Sequence, residues 1–438
     1  MAMSKASLFL AGFFEFPHNR GHHSANSHSG IPMPTRRDIL SQLAAAACAG
    51  AFLGTVTRSG RAEDKVAGNR NLHQRHDFAF AHQRFTNERV GRVAFLGGSI
   101  TEMEGYRPLI ARFLTETFPQ TKFDFVNAGI ASTCSTTGAF RLQTDVLAKG
   151  PVDLLIAEFA VNDDQDAHHL QREAMRGMEG LIRQALRANP NMGIVLTHFV
   201  NEGMLALLHG GNTPVSIAAH EKVAEHYRVS TVNLAQEAAE RIQAGTLTWA
   251  SYGGVHPGPL GNGLAAEMVN RLLKQAWTKT GDAPTQPLPA PLDDKCYDHG
   301  QFLPWEQATI TAPWKLSPVD WKTIPGDWRG RFRDIPLLHC EVPGAELTFK
   351  FRGTTCGAYI LAGPDAGTLE TEVDNGGWRK VLLFHDYSGG LHYPRTVILH
   401  SDLADGDHQA VIRLAPEPNR NQKGPAARIV QLVQAGMK

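Results

Sequence analysis

Short apolar runs and longer amphipathic segments alternate from residue 93 to residue 274, and this alternation constrains the fold more than any other feature. The short runs are rich in β-branched residues and end in turn residues, which predicts strands. They are residues 93–96, 123–126, 152–159, 194–198 and 230–233. Helical spacing lies between and after them, at residues 106–118, 138–148, 169–188, 215–227 and 260–277. Strand and helix repeated in this order predict a parallel sheet with helices on both faces.

The residues that directly follow the predicted strands carry the most functional information, because ligands of such sheets bind at the carboxyl ends of the strands. The first strand ends in two glycines and Ser99, a turn that would raise the hydroxyl above the sheet edge. Later strand ends offer the backbone N–H of Gly129 and the side-chain amide of Asn162, and His256 precedes the last helix. An imidazole that takes a serine proton and amides that bind an oxyanion are the parts of an acyl-transfer site.

These four blocks resemble the SGNH hydrolases, also called GDSL-type esterases, and follow that family's order along the chain. Gly98 stands where the Gly-Asp-Ser form has aspartate, and the local sequence Gly-Gly-Ser-Ile-Thr resembles a variant branch. The resemblance implies a flavodoxin-like three-layer α/β/α fold with Ser99 as the nucleophile and His256 as the general base. It assigns the oxyanion hole to the N–H groups of Ser99 and Gly129 and to the side chain of Asn162.

One position departs from the family pattern, which has an aspartate three residues before the histidine to orient the imidazole. Gly253 occupies this position. We therefore expect either a Ser-His dyad, in which a backbone carbonyl orients His256, or an acid supplied by another loop. Asp163, Asp164 and Asp166 are the carboxylates nearest to a predicted strand end, and Asp163 is the first candidate.

The predicted reaction is hydrolysis of acyl esters, with acetyl esters favoured, through a covalent acyl-serine and without metal or organic cofactor. Two other functions fit the same sequence. An acyltransferase would use the same Ser-His site, and a non-catalytic glycan-binding protein would use neither residue. The acyl chain, the alcohol and the oligomeric state are left open.

Residues 1–62 predict a targeting segment. Arg36 and Arg37 precede the apolar, alanine-rich run 43–56, which resembles a twin-arginine export signal, and Met33 is an alternative start. The run is shorter than the ~20 residues that span a bilayer, so no membrane integration is expected. The alternative is a short helix of the folded domain. Export to the periplasm or the medium would expose four cysteines to an oxidising environment: Cys134, Cys296, Cys340 and Cys356.

The rest of the chain predicts a second domain. Residues 63–90 lead into the hydrolase domain at 91–277, and the proline-rich residues 278–301 predict an extended linker. From 302 to 438, short alternating runs separated by turns predict an antiparallel, jelly-roll-like β-sandwich. Such sandwiches accompany carbohydrate-active esterases, which favours a glycan ester by association. The alternative is a domain that only packs against the hydrolase and shields its edge.

Composition limits the classes of ligand and partner that can be expected. The chain has 43 basic and 43 acidic side chains, so no net field favours nucleic acid. Its five cysteines contain no CxxC pair, and its 20 histidines show no convergent zinc-ligand spacing. We therefore expect a small-molecule or polysaccharide acyl ester as the partner, no nucleic acid and no metal.

Overall fold

The computed structural model describes residues 70–278, 287–416 and 423–436, where an α/β domain is followed by a β-rich domain. The predicted export signal lies outside these residues. Within the described ranges no helix combines the length and apolarity needed to cross a membrane. Four cysteines in these ranges are buried free thiols: Cys134, Cys296, Cys340 and Cys356.

The α/β domain is built on a six-stranded sheet. Its strands are β1 (Leu72–His73), β2 (Val90–Gly97), β3 (Lys122–Gly129), β4 (Leu154–Glu158), β5 (Gly193–Thr197) and β6 (Ser230–Val232). The spatial order is β1-β6-β5-β4-β2-β3, in which β2 to β6 run parallel and β1 joins the edge in antiparallel orientation. The predicted mostly parallel sheet is confirmed.

Helices cover both faces of this sheet. The α-helices in the described residues are α1 (Ala79–Gln83), α2 (Ser99–Glu102), α3 (Tyr106–Thr117), α4 (Ser135–Asp145), α5 (Gln171–Ala188), α6 (Glu202–His209), α7 (Val215–His226), α8 (Leu234–Gln243), α9 (Trp249–Tyr252) and α10 (Pro259–Trp277). Side chains alternate along a strand, so Val93 and Phe95 pack with α3, α8 and α10. Ala94 and Leu96 pack with α4, α5 and α7 on the opposite face.

The C-terminal domain consists of two antiparallel sheets. Its strands are β7 (Gln301–Phe302), β8 (Ala308–Thr309), β9 (Lys315–Ser317), β10 (Leu337–Cys340), β11 (Glu346–Gly353), β12 (Thr355–Ala362), β13 (Thr368–Val373), β14 (Arg379–Leu382), β15 (Tyr393–His400), β16 (Gly406–Leu414) and β17 (Ala427–Ala435). One sheet has the order β15-β12-β17-β10-β9 with β7 paired to β17, and the other has the order β14-β13-β16-β11-β8. Phe349 and Ile412 from one sheet share a core with Ile360 and Ile429 from the other. The predicted antiparallel β-rich domain is confirmed.

The two domains share packed surface. The core beneath α4 and α5 also contains apolar side chains of β12 and β17. Thr137 of α4 donates a 2.9 Å hydrogen bond to Thr396 of β15. The described part of the predicted linker, residues 287–300, packs along α5, where Arg183 pairs with Asp298 at 2.7 Å. The β-domain is therefore held against the α/β domain by both apolar and ionic contacts.

A buried carboxylate fixes the turn that follows β2. Glu158, at the end of β4, accepts a 2.9 Å hydrogen bond from the Gly98 N–H and a 2.7 Å bond from the Thr101 hydroxyl. Burial raises the pKa of Glu158 to about 7, although these hydrogen bonds oppose the shift. Fully buried Arg141 also stabilises this turn, because it donates a 2.9 Å hydrogen bond to the carbonyl of Gly97.

We expect Glu158→Gln to change the pH dependence of stability. The folded-state pKa of about 7 exceeds the ordinary 4.5, so the folded state binds an extra proton between these values and loses stability as the pH rises through them. Glutamine keeps an acceptor for Gly98 and Thr101 but does not ionise. Relative to wild type, the variant's free energy of unfolding in urea should rise by on the order of 1–3 kcal/mol between about pH 5 and about pH 8. A difference that does not vary with pH would contradict this account.

Candidate active site

Ser99 and His256 meet at the carboxyl edge of the sheet. Ser99 is the first residue of α2, so its N–H has no acceptor within the helix. Its Oγ lies 2.8 Å from Nε2 of His256, although the two residues are 157 positions apart in the sequence. His256 lies in the segment between α9 and α10 and is exposed to solvent. The structure thus brings the predicted nucleophile and base into hydrogen-bond contact.

No described carboxylate holds the second nitrogen of this imidazole. Within residues 70–278, 287–416 and 423–436, the bond to Ser99 is the only hydrogen bond of the His256 ring. Although the residue keeps part of its surface exposed to solvent, neighbouring protein atoms partly desolvate the ring and lower the pKa of His256, while the negative charge of Asp166 opposes that shift. The ring is therefore neutral at neutral pH and can accept the serine proton.

Gly253 cannot carry the aspartate that the family has at this position. Its φ of 107° lies in the left-handed region, and an added Cβ would lie 1.9 Å from the backbone nitrogen of Gly258. That nitrogen donates a 2.8 Å hydrogen bond to the carbonyl of Tyr252, which closes the turn before α10. The missing carboxylate is therefore a consequence of how this turn folds.

The structure does not bring Asp163 to His256. Its buried carboxylate accepts hydrogen bonds of 2.8 and 2.7 Å from the N–H and hydroxyl of Ser135 and a 2.8 Å bond from Nε2 of His220. Burial would raise the pKa of Asp163, but His169 and His220 hold it well below its usual range. Asp163 is fully engaged in fixing the start of α4, which explains why it cannot orient His256.

Asp166 and Asn162 face the dyad from a single π-helical turn, Asn162–Asp166. The Asn162 amide nitrogen donates to the Asp166 carboxylate, which fixes the orientation of the amide. The amide oxygen lies against Gly98, where an added Cβ would come within 2.1 Å of it. This contact explains why position 98 lacks a side chain. Burial raises the pKa of Asp166, although its hydrogen bonds oppose the shift.

In the loop after β3, the backbone N–H that is free differs from the one that the sequence predicts. The N–H of Gly129 donates a 2.9 Å hydrogen bond to Oδ1 of Asn127, so it is not available as predicted. Ser132, three residues on, has a left-handed φ of 72°. Its N–H has no acceptor among the described residues, although its neighbours Ala131 and Thr133 both donate. Sequence reasoning missed Ser132 because neither this hydrogen-bond pattern nor a left-handed serine has a local sequence signal.

The β-domain reaches the π-helical turn. His385 donates a 2.6 Å hydrogen bond from Nε2 to the backbone carbonyl of Asp166, across 219 positions of sequence. The ring of Tyr393 stacks on His385 with centroids 4.4 Å apart. Burial and the nearby Asp166 charge raise the pKa of the Tyr393 hydroxyl. Sequence reasoning missed both residues because nothing local connects them with the catalytic blocks.

One group in the described residues has donor atoms close enough together to hold a metal ion. Atoms of Cys134, Asp163 and His169 lie within 4.8 Å of one another. Both Asp163 oxygens already accept hydrogen bonds. Burial opposes protonation of His169, but the charges of Asp163 and Cys134 raise its pKa to about 10. A protonated imidazole offers no lone pair, so these residues form an ionic cluster, with His169 Nδ1 3.5 Å from Asp163 Oδ1, rather than a ready ligand set.

Comparisons with known proteins identify a sequence family and a similar fold. A sequence profile of the GDSL-like lipase/acylhydrolase family matches residues 95–264. No curated protein sequence matches the chain. A solved two-domain esterase active on acetylated mannans, co-crystallised with mannopentaose, is 21% identical with a TM-score of 0.67, covering 84% of this chain and 98% of its own. A catalytic mutant of Axe2, an acetylxylan esterase from Geobacillus stearothermophilus, is 21% identical over 44% of this chain and 97% of its own, with a TM-score of 0.35.

The family profile spans every predicted catalytic block from Ser99 to His256. The similarity to the two-domain structure extends over both domains and supports their shared architecture. The chain therefore contains a GDSL-like lipase/acylhydrolase domain at residues 95–264, which is followed by a β-rich domain.

Proposed function

We propose that this protein hydrolyses acyl esters of carbohydrates, acetyl esters first among them, through an acyl intermediate on Ser99. The observation that carries the proposal is the 2.8 Å hydrogen bond between Ser99 Oγ and His256 Nε2 at the carboxyl edge of the sheet. The architecture shared with an esterase active on acetylated mannans supports a glycan ester as the substrate.

In this mechanism His256 takes the hydroxyl proton while Ser99 Oγ attacks the ester carbonyl. The tetrahedral oxyanion is stabilised by the N–H of Ser99 and the second amide hydrogen of Asn162. The free N–H of Ser132 serves as the third donor, in place of Gly129. His256 then gives its proton to the departing alkoxide, and the acyl-serine remains. A water molecule, deprotonated by the same imidazole, attacks that acyl group; the bond from Ser99 Oγ to the acyl carbon breaks, His256 returns the proton to Ser99 Oγ, and the acid is released.

Asp166 supports this chemistry in two ways. Its carboxylate accepts from the Asn162 amide nitrogen and so directs the remaining amide hydrogen. Its charge also favours the imidazolium that forms on His256 during attack. The dyad thus receives electrostatic help from a carboxylate that does not hydrogen-bond to the imidazole.

We also propose that residues 1–62 direct export to the periplasm or the medium, supported by the paired arginines ahead of an apolar run. On this proposal residues 63–90 lead into the hydrolase domain at 91–277. Residues 278–301 link it to the β-sandwich at 302–438.

Ser99→Ala and His256→Ala should each abolish hydrolysis of p-nitrophenyl acetate and of acetylated mannan. Loss of either dyad member should lower kcat by about 10³-fold or more, since nucleophile and base act as a unit. Ser317→Ala, on the edge strand β9, is the control and should retain wild-type kcat. Ester hydrolysis that survives in Ser99→Ala would overturn the proposal.

The pH profile of kcat/KM should show an acid limb with an apparent pKa below 6.5. Catalysis needs neutral His256, and burial lowers the pKa of this ring from 6.5 despite the opposing charge of Asp166. Activity should therefore be lost only as the pH falls through that lowered value. Initial rates with p-nitrophenyl acetate in buffers of constant ionic strength measure it, and a limb at or above 6.5 would contradict the assignment.

Gly253→Asp should lower activity rather than complete a triad. An added Cβ at Gly253 would lie 1.9 Å from the Gly258 nitrogen, so the turn that presents His256 must move. Gly254→Asp is the matched control, because position 254 is also left-handed but has no atom within 4 Å of an added Cβ. We expect the control to lose about 1–2 kcal/mol of stability, from its backbone conformation alone, and Gly253→Asp to lose clearly more. Higher kcat with unchanged stability in Gly253→Asp would refute this explanation.

A further inference from the structure

The loop that follows β3 carries the Ser132 N–H in a conformation that needs support. A serine at φ 72° is in the left-handed region, which L-residues with side chains avoid. Within the loop, the N–H and the hydroxyl of Thr133 donate to the carbonyl of Ile130 at 3.2 and 2.7 Å, and Ile130 itself donates to the carbonyl of Gly97 in β2. Strained backbone of this kind persists only where its surroundings hold it.

Two arginines of the β-domain supply such contacts. Arg329 donates a 3.0 Å hydrogen bond to the carbonyl of Ala131 and a 2.8 Å bond to the hydroxyl of Ser132. Arg331 donates a 3.1 Å bond to the carbonyl of Gly129. The loop is therefore contacted at three points by side chains located about 200 residues downstream.

The second arginine also connects the loop with the nucleophile. Arg331 pairs with Glu102 Oε1 at 2.8 Å, and the other carboxylate oxygen of Glu102 accepts a 2.9 Å hydrogen bond from the Ala131 N–H. Glu102 is the last residue of α2, the helix that begins at Ser99. A continuous chain of contacts thus runs from the β-domain through α2 to the loop.

The segment that carries the arginines is itself anchored. Trp321 and Phe332 are buried, and the Trp321 indole N–H donates a 3.3 Å hydrogen bond to the carbonyl of Phe332. Trp321 also stacks with Trp328 at a centroid distance of 5.6 Å. Phe332 directly follows Arg331, so packing fixes the backbone from which the guanidinium extends.

We propose that Arg329 and Arg331 are positioning residues that hold residues 129–132 in place for catalysis, so that the β-domain is part of the catalytic machinery even for a small ester. The inference rests on the proposed esterase function. It separates the β-domain's role from glycan binding, because a substrate as small as p-nitrophenyl acetate needs no glycan subsite.

The test compares Arg329→Met, Arg331→Met and Glu102→Gln with the wild-type full chain. Arg333→Met is the matched control, since Arg333 is exposed and lies in the same segment but makes none of these contacts. With p-nitrophenyl acetate, we expect kcat to fall about 10- to 100-fold in both arginine variants, and less in Glu102→Gln, with KM almost unchanged. The control should keep wild-type kcat.

Inhibition by phenylboronic acid gives the decisive readout. Its tetrahedral adduct with a serine places an oxygen in the oxyanion hole, so Ki should rise by about the same factor as kcat falls. A variant that is merely partly unfolded would lose active enzyme but keep the wild-type Ki in the remainder. The inference would be overturned if both arginine variants kept the wild-type Ki, or if Arg333→Met lost kcat to the same extent as they do. Either result would leave the esterase function standing. An inactive wild-type protein would overturn both.

Discussion

Two buried charged side chains, Glu158 and Arg141, hold the strand ends on which the whole site depends. Glu158 fixes the turn after β2 through Gly98 and Thr101, while Arg141 donates to carbonyls at the ends of β2 and β3. Buried charges are costly unless hydrogen bonds satisfy them, and removing one partner then exposes that cost. An added Cβ at Gly97 would lie 2.2 Å from Glu158, so this arrangement also dictates the glycine before the catalytic turn.

Contacts from several parts of the chain complete the site around these strand ends. The turn that carries the His256 imidazole has no room for the aspartate of the family pattern. Within the described residues, no acid therefore forms a hydrogen bond with the imidazole. Asp166 contributes charge instead, and its own backbone is held by His385 of the β-domain. The partly exposed Arg331–Glu102 pair adds only about 0–1 kcal/mol of stability, so its significance lies in where it places the loop.

Much of this arrangement could be predicted from the sequence. The parallel sheet and its helices followed from strong hydrophobic periodicity, and the turn glycines before Ser99 marked the functional edge. Gly129 was a wrong choice of free donor because only the folded chain shows its N–H bound to Asn127. Asp163 was likewise a wrong choice for the acid that orients His256, because its partners Ser135 and His220 come close to it only in the folded chain. The contacts of the β-domain join residues about 200 positions apart, so no local sequence pattern predicts them.

The most direct test of the central claim is to identify the residue that a fluorophosphonate probe modifies covalently. Such probes react with a serine whose proton a neighbouring base removes, and the phosphoryl oxygen occupies the oxyanion hole. Intact-mass and peptide mass spectrometry of the full chain should show one adduct on Ser99, which disappears in His256→Ala. An unmodified Ser99 under conditions that label another serine esterase, or an adduct on a different serine, would contradict the account.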